Sequence, residues 1–278
     1  MRQRVQTEDR TPIEIIRPRD PTARINHILF DFDGTLSLIR RGWQDVMISH
    51  MVEVLTDTPA GPMTGDLWGY VREYVYDLTG KQTVYQMIRL AEEVAKRGGE
   101  PRDPLEYKWE YLRRLWERIR ERVEGLKAGT IPREEMVVAG TYDLLDALKS
   151  RRLSLYLASG TDEMYVKDEA GALGLEPYFG ERMYGAIDDY KKFSKAIVIR
   201  RILETNRIEG RRLAAFGDGY VEIENAKQVG GTAIGVAADE EGRLGIDEWK
   251  RDRLLSVGAD VIVGDYHDVT GIVEYLFG

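Results

Sequence analysis

The chain has 278 residues, enough for one large domain or two modest ones, and 43% of them are hydrophobic, ordinary for a protein with a real core. A formal net charge of −8 argues against nonspecific nucleic-acid binding, and the absence of cysteine excludes disulfides and thiolate metal sites. The three histidines, at 27, 50 and 267, are too scattered for a zinc centre, and no apolar run approaches membrane-spanning length. With no apolar signal-peptide core at the N-terminus, the expected setting is the cytoplasm, with neither a membrane nor a nucleic acid as partner.

Residues 1–25 are rich in Arg, Asp, Glu and Pro and read as an extended arm, disordered or draped on the body, which Ile13, Ile15 and Ile16 could anchor to an apolar groove. Residues 26–31 are the first strand. The next hundred residues are helical. Apolar side chains recur at helical spacing in four stripes, from Trp43 to Leu55, Leu67 to Leu78, Val84 to Ala95, and Leu105 to Val123. Gly61-Pro62, Thr79-Gly80 and Gly98-Gly99-Glu100-Pro101 punctuate them. Four such stripes can bury one another as a bundle, with their Trp and Tyr residues expected in the core.

From about residue 137 the pattern alternates. Thr141 is expected to N-cap a helix, and 153–158 is a buried strand ending at Ser159-Gly160-Thr161. Strands follow near 182–186, 213–216, 233–236 and 260–263, with helices near 194–205, 222–229 and 246–256 and at the C-terminus. Such alternation predicts an α/β fold, a Rossmann-like parallel sheet with helices on both faces, whose ligands gather at the carboxyl ends of the strands. The helical stretch is then an insertion. Residues 26–38 and 137–278 form a discontinuous core, with 39–136 inserted between its parts.

The stretch Ile28-Leu29-Phe30-Asp31-Phe32-Asp33-Gly34-Thr35 organises the chain. Two carboxylates end an apolar run two positions apart, so a continuing strand would point both the same way. Their mutual repulsion calls for a shared proton or a cation, and Mg2+ suits because it takes oxygen ligands and commonly a substrate phosphate as well. Gly34 allows backbone to approach an anion, and Thr35 adds a hydroxyl.

This stretch resembles motif I, DxDGT, of the haloacid dehalogenase superfamily. The resemblance implies Asp31 as a nucleophile that becomes an aspartyl-phosphate and Asp33 as the acid/base. Ser159-Gly160 is similar to motif II, whose hydroxyl and backbone N–H hold the transferring phosphoryl group. Gly217-Asp218-Gly219-Tyr220-Val221-Glu222 resembles motif IV, GDGxxD. It implies that Asp218 completes a magnesium shell with Asp31 and Asp33, with Glu222 in the place of the second acid. Motif III is a lysine at the start of the preceding helix, for which the chain offers Lys191, Lys192 and Lys195. The 23 residues from Lys195 to Asp218 match the phosphoserine-phosphatase-like spacing. The insertion resembles the type 1 helical cap, with Thr79–Thr83 as its substrate-reading loop through Lys81 and Gln82. Arg40 and Arg41 form a second basic cluster at its hinge. The expected protein is therefore a magnesium-dependent phosphatase of a small phosphomonoester, such as a sugar phosphate or a phosphoglycolate-like compound. The alternatives are a β-phosphoglucomutase-like phosphomutase, a phosphonatase and a non-catalytic phosphometabolite-binding module.

Overall fold

A computed structural model describes residues 13–61 and 65–278. Residues 1–12 of the N-terminal arm and Pro62 of the first punctuation lie outside the described residues.

The sheet is built around β2 (His27–Phe30), four residues buried on both faces, as the near-continuous apolar run of a central parallel strand requires. It pairs in parallel with β3 (Ser154–Asp162) on one side and β5 (Leu213–Gly217) on the other, with Phe30 level with both Leu157 and Phe216. β4 (Met183–Ala186), β6 (Thr232–Val236) and β7 (Val261–Val263) complete the parallel part. The order is β1-β7-β6-β5-β2-β3-β4, in which β1 (Glu14–Ile15) runs antiparallel at one edge. Part of the expected arm is thus an edge strand. Arg251 holds Glu14 through two hydrogen bonds of 2.7 and 2.6 Å. Ile13 packs against the core, whereas Ile15 and Ile16 are exposed and do not anchor it.

Residues alternate along β2 between two cores. Ile28 and Phe30 join one, with α5 (Thr141–Ser150), α6 (Glu163–Ala172) and α11 (Val269–Phe277). Leu29 joins the other, with α8 (Lys195–Asn206), α9 (Tyr220–Gln228) and α10 (Glu248–Ser256). Between α6 and β4 lies the short α7 (Glu176–Phe179). Neither α6 nor α7 was expected from the sequence. Thr141 is the first residue of α5 rather than its cap. Gly140, at φ 80°, takes that position, and the Thr141 hydroxyl donates to Val138 O at 2.6 Å.

Four helices lie between β2 and α5: α1 (Trp43–Thr56), α2 (Leu67–Asp77), α3 (Thr83–Lys96) and α4 (Pro104–Ala128). Side chains of Asp66 and Asp103 cap α2 and α4, and Gly129, in the left-handed region, ends α4. Their apolar stripes continue the first core. The tryptophans do not all follow. Trp68, Trp109 and Trp116 stand on exposed faces, each more than 40% accessible.

The insertion is tied to the body by buried polar contacts. Lys108 of α4 pairs with Asp162 at the end of β3 at 2.5 Å, both nearly inaccessible. Arg253 of α10 donates to the carbonyls of Tyr76 and Asp77 at the C-terminal end of α2. Removing one partner of a buried ion pair strands the other. Lys108→Met should therefore cost about 3–5 kcal/mol, read as a fall of roughly ten degrees in Tm. The double variant Lys108→Met/Asp162→Asn should recover more than half of it. A single-variant loss below about 1 kcal/mol would show that the pair behaves as an exposed one.

Candidate active site

The carboxyl ends of β2, β3 and β5 meet the start of α8 and the α2–α3 loop around one cavity of about 70 Å3, lined by Asp31, Asp33, Ser159, Gly160, Lys195 and Asp218 from the body. Arg40, Trp43, Met47, Lys81, Gln86 and Tyr111 line it from the insertion and its entry.

Asp31 follows β2 directly, and its N–H donates to Phe216 O at 2.9 Å, which fixes its backbone to β5. The side chain is buried, with Oδ1 2.8 Å from Lys195 Nζ. Lys195 opens α8, whose N-cap Ser194 accepts from Ile197 N. Its ammonium also contacts Glu222 Oε1. Of the three candidate lysines it alone reaches the site. Lys192 pairs with Asp189 at the surface, and Lys191 lies over the Tyr190 ring.

Asp33 lies two residues on. Its Oδ2 accepts from the Thr161 hydroxyl at 2.8 Å and lies 3.4 Å from that of Ser159. Ser159 and Thr161 are i and i+2 along β3 and so share a face. Asp33 Oδ1 is buried with no hydrogen-bond partner among the described residues, and Arg40 Nε stands 3.9 Å away. Arg40 is itself held through its Nε and Nη2 by the buried Glu169 of α6.

Gly34 has φ 71°, and a Cβ there would come within 2.3 Å of Asp218 Oδ2. Only glycine lets the two strand ends close in this way. The Thr35 hydroxyl accepts from Asp218 N at 3.0 Å and so orients the acid rather than facing the cavity. Gly160 has a similar constraint, since its Cβ would meet Lys81 O at 2.7 Å. The insertion's loop therefore lies directly on Gly160 of β3.

Burial pushes the Asp31 carboxyl above its ordinary range against the pull of Lys195, and the neighbouring Asp218 adds to the rise. Burial likewise lifts Asp33 to about 7, against Arg40 and with help from Glu169 and Asp31. Lys250 of α10 lies 3.1 Å from Asp218 Oδ2 and 2.6 Å from Glu240 Oε1. Burial opposes its charge, but Asp218 and Glu240 more than offset that and hold it above the ordinary lysine value.

Besides Gly34 and Thr35, which lie against Asp218 rather than line the cavity, three expected site residues are placed differently. Glu222 is fully buried and faces Lys195. Its Oε2 has no partner, and among the described residues no three acid or histidine side chains assemble as a metal-ligand set. Gln82 does not line the cavity. Its amide donates to Tyr190 O and Phe193 O at 3.1 and 2.7 Å and clamps the loop to the body just ahead of α8. Arg41 donates to Glu240 O at 3.0 Å, and it is Arg40 that reaches the acids. Sequence reasoning passed over Thr161, Glu169, Glu240 and Lys250; Trp43, Met47 and Tyr111, expected in the bundle core, do pack there and also border the cavity. Thr161 alone had a local signal, its i+2 spacing from Ser159.

A family model for haloacid dehalogenase-like hydrolases matches residues 25–230, and the chain belongs to that family. A 5'-nucleotidase of Pseudomonas aeruginosa is 25% identical over 226 residues, covering 78% of this chain and 85% of its own. Among solved structures, a protein of Haemophilus somnus described as a "predicted phosphoglycolate phosphatase" superposes with TM-score 0.60 at 16% identity, covering 91% of this chain and 99% of its own. A hydrolase of the same family from Deinococcus radiodurans, solved with bound phosphate and sodium, gives TM-score 0.54 at 16% identity, with 91% and 97% coverage. No helix among the described residues is long and apolar enough to cross a membrane.

The raised Asp33 carboxyl makes a stability prediction. Between the unfolded value near ~3.9 and the folded value of about 7, the folded protein holds the proton and the unfolded chain has lost it, so stability falls as pH rises through that window. In metal-free protein, Asp33→Asn should raise Tm by a few degrees at pH 8 and by much less at pH 5. Equal shifts at both pH values would show that Asp33 ionises normally.

Proposed function

We propose that this chain is a magnesium-dependent phosphatase of a small phosphomonoester, working through an aspartyl-phosphate on Asp31. The observation that carries this reading is the convergence of Asp31, Asp33, Ser159, Lys195 and Asp218 on one small cavity at the strand ends. The family membership supports the hydrolytic class.

The residues present fit magnesium. The buried Asp31 and the half-buried Asp218 influence each other's charge, the donors are all hard oxygens, and the neighbouring Asp33 Oδ1 has no hydrogen-bond partner among the described residues. Two carboxylates with the main-chain oxygen of Asp33 make the small protein share that this ion usually takes. Bound there, it would neutralise charge on the nucleophile and the phosphate oxygens.

Lys195 holds Asp31 Oδ1, leaving Oδ2 to attack phosphorus as the bond to the ester oxygen breaks. Asp33, protonated near neutrality, gives its proton to that leaving oxygen. Ser159 Oγ and the Gly160 N–H receive the phosphoryl oxygens, and Lys195 offsets the growing negative charge. Asp33, now a base, takes a proton from the water that attacks phosphorus. Inorganic phosphate leaves and Asp31 is regenerated. Thr161 and Arg40 orient Asp33, while Glu222 and Thr35 orient Lys195 and Asp218.

The insertion, residues 39–136, acts as the cap. A cavity of about 70 Å3 is far below the ~300–1,000 Å3 of sites for drug-sized ligands. It favours a short leaving group over a nucleoside. Lys81 and Arg40 face that leaving group, which suits a hydroxylated or carboxylated body. The setting proposed is cytoplasmic, with a small-molecule phosphate ester as partner and neither nucleic acid nor membrane.

Three measurements test the proposal. Asp31→Asn should abolish turnover, and Asp33→Asn should slow it by roughly 10²–10⁴-fold. EDTA should abolish wild-type activity, and magnesium should restore it. Across a panel of metabolite phosphates, short sugar or carboxylate esters should exceed nucleoside 5'-monophosphates in kcat/KM by about tenfold or more. Full activity in Asp31→Asn refutes the mechanism, and a preference for nucleotides refutes the substrate class.

The loop separates two roles. Lys81→Ala should lower kcat/KM for the preferred ester by roughly 10- to 100-fold and leave p-nitrophenyl phosphate nearly unchanged. Gln82→Ala should impair both substrates, because it frees the loop from the body. Equal losses on both substrates for Lys81→Ala would remove it from substrate reading.

A further inference from the structure

Lys250 has no part in the proposed chemistry and lies beyond the family match, which ends at residue 230. It sits in α10, in the crossover from β6 to β7. Its side chain is only 9% accessible, although an ammonium is costly to bury without a counter-charge. Two carboxylates meet it, Asp218 Oδ2 at 3.1 Å and Glu240 Oε1 at 2.6 Å.

The surroundings fix the ammonium in place. Asp247 caps α10 by accepting from the N–H of Lys250 itself at 3.0 Å. Three residues further along, Arg253 binds the end of α2, and Trp249 packs on Tyr76 with ring centroids 4.9 Å apart. The Glu240 turn is tied down as well. Asp239 Oδ1 accepts from the N–H groups of Glu241 and Gly242 at 3.0 and 2.8 Å, and Arg41 donates to Glu240 O at 3.0 Å. A built arrangement thus delivers one positive charge to the carboxylate that the functional reading assigns to the metal.

We propose that Lys250, tethered by Glu240, is a built-in counter-ion of Asp218 that competes with the divalent cation for that carboxylate and so sets the metal affinity of the site. The proposal rests on the reading of Asp31 and Asp218 as the metal's carboxylates. Glu240 is the second half of the device. It keeps the ammonium paired when Asp218 turns to the metal, so the exchange strands no buried charge. Without metal, Lys250 relieves the repulsion between Asp218 and Asp31.

The two residues therefore act on metal binding with opposite signs, which damage to the site would not produce. Loss of the lysine removes a competitor. Loss of the glutamate leaves the lysine held by Asp218 alone and makes the site more positive. The test is Mn2+ binding to the metal-stripped full chain without substrate, followed by the free-ion electron paramagnetic resonance signal, with Mg2+ calorimetry alongside. Lys250→Met should bind Mn2+ roughly 10- to 100-fold more tightly than wild type, the worth of a hydrogen bond to a charged partner. Glu240→Gln should bind it more weakly than wild type. Metal-free Lys250→Met should also melt lower than wild type and gain more Tm on adding Mg2+. Unchanged or weaker binding by folded Lys250→Met overturns the proposal and makes Lys250 a support for Asp218. If that variant does not fold, Glu240→Gln decides: weaker binding sustains the proposal, and equal or tighter binding overturns it. Asp218→Asn is the control for the underlying reading. If it binds Mn2+ as wild type does, or if wild type binds none, the metal assignment itself fails and the proposal with it.

Discussion

Charge crowding at the strand ends is the constraint on which the rest of the site depends. Six carboxylates, of Asp31, Asp33, Glu169, Asp218, Glu222 and Glu240, share three cations, Lys195, Arg40 and Lys250. Each cation bridges two acids. The surplus of negative charge in a poorly solvated place must be met by protons or by added cations. The raised carboxyls of Asp31 and Asp33 are one answer, and a divalent ion is the other. Burial first, and then this surplus, lifts the Asp33 carboxyl to about 7, so that it holds a proton an exposed aspartate would have lost.

The fold brings these groups together by strand termination. Parallel pairing sets Phe30 level with Leu157 and Phe216, so the residues that follow β2 and β5 and those that end β3 surround one space. Glycines admit the close approaches: Gly34 lets Asp218 in, and Gly160 lets the Lys81 backbone rest on β3. The helical insertion then covers the space. Its hold on the body is partly apolar, through the shared core, and partly polar, through Gln82, Lys108 and the Arg253 contact.

Much of this was legible in the sequence, for identifiable reasons. Buried parallel strands leave uninterrupted apolar runs, and the acids that line the cavity stand where those runs break. The four insertion helices leave stripes of helical period, and each was placed to within a few residues. What escaped depends on tertiary pairing. β1 is two residues long and exists only because β7 offers an edge. Arg40 and Glu169 are 129 positions apart, and no local pattern links them. Lys250 carried no functional signal in the helix expected near 246–256, and Gln82 looked like a ligand-reading residue rather than a clamp. A stripe also cannot tell core from cavity wall. Trp43 and Tyr111 border the site, while Trp109 and Trp116 face outward.

The central claim is covalent chemistry at Asp31, and the most direct measurement is to catch the intermediate. Enzyme turning over a metabolite phosphate in magnesium would be quenched in acid, digested and mapped by mass spectrometry. The account predicts one phosphoryl group on the peptide containing Asp31, with the modification on that residue. Phosphate release with the group on another residue, or with no labelled peptide under single-turnover conditions, would contradict it.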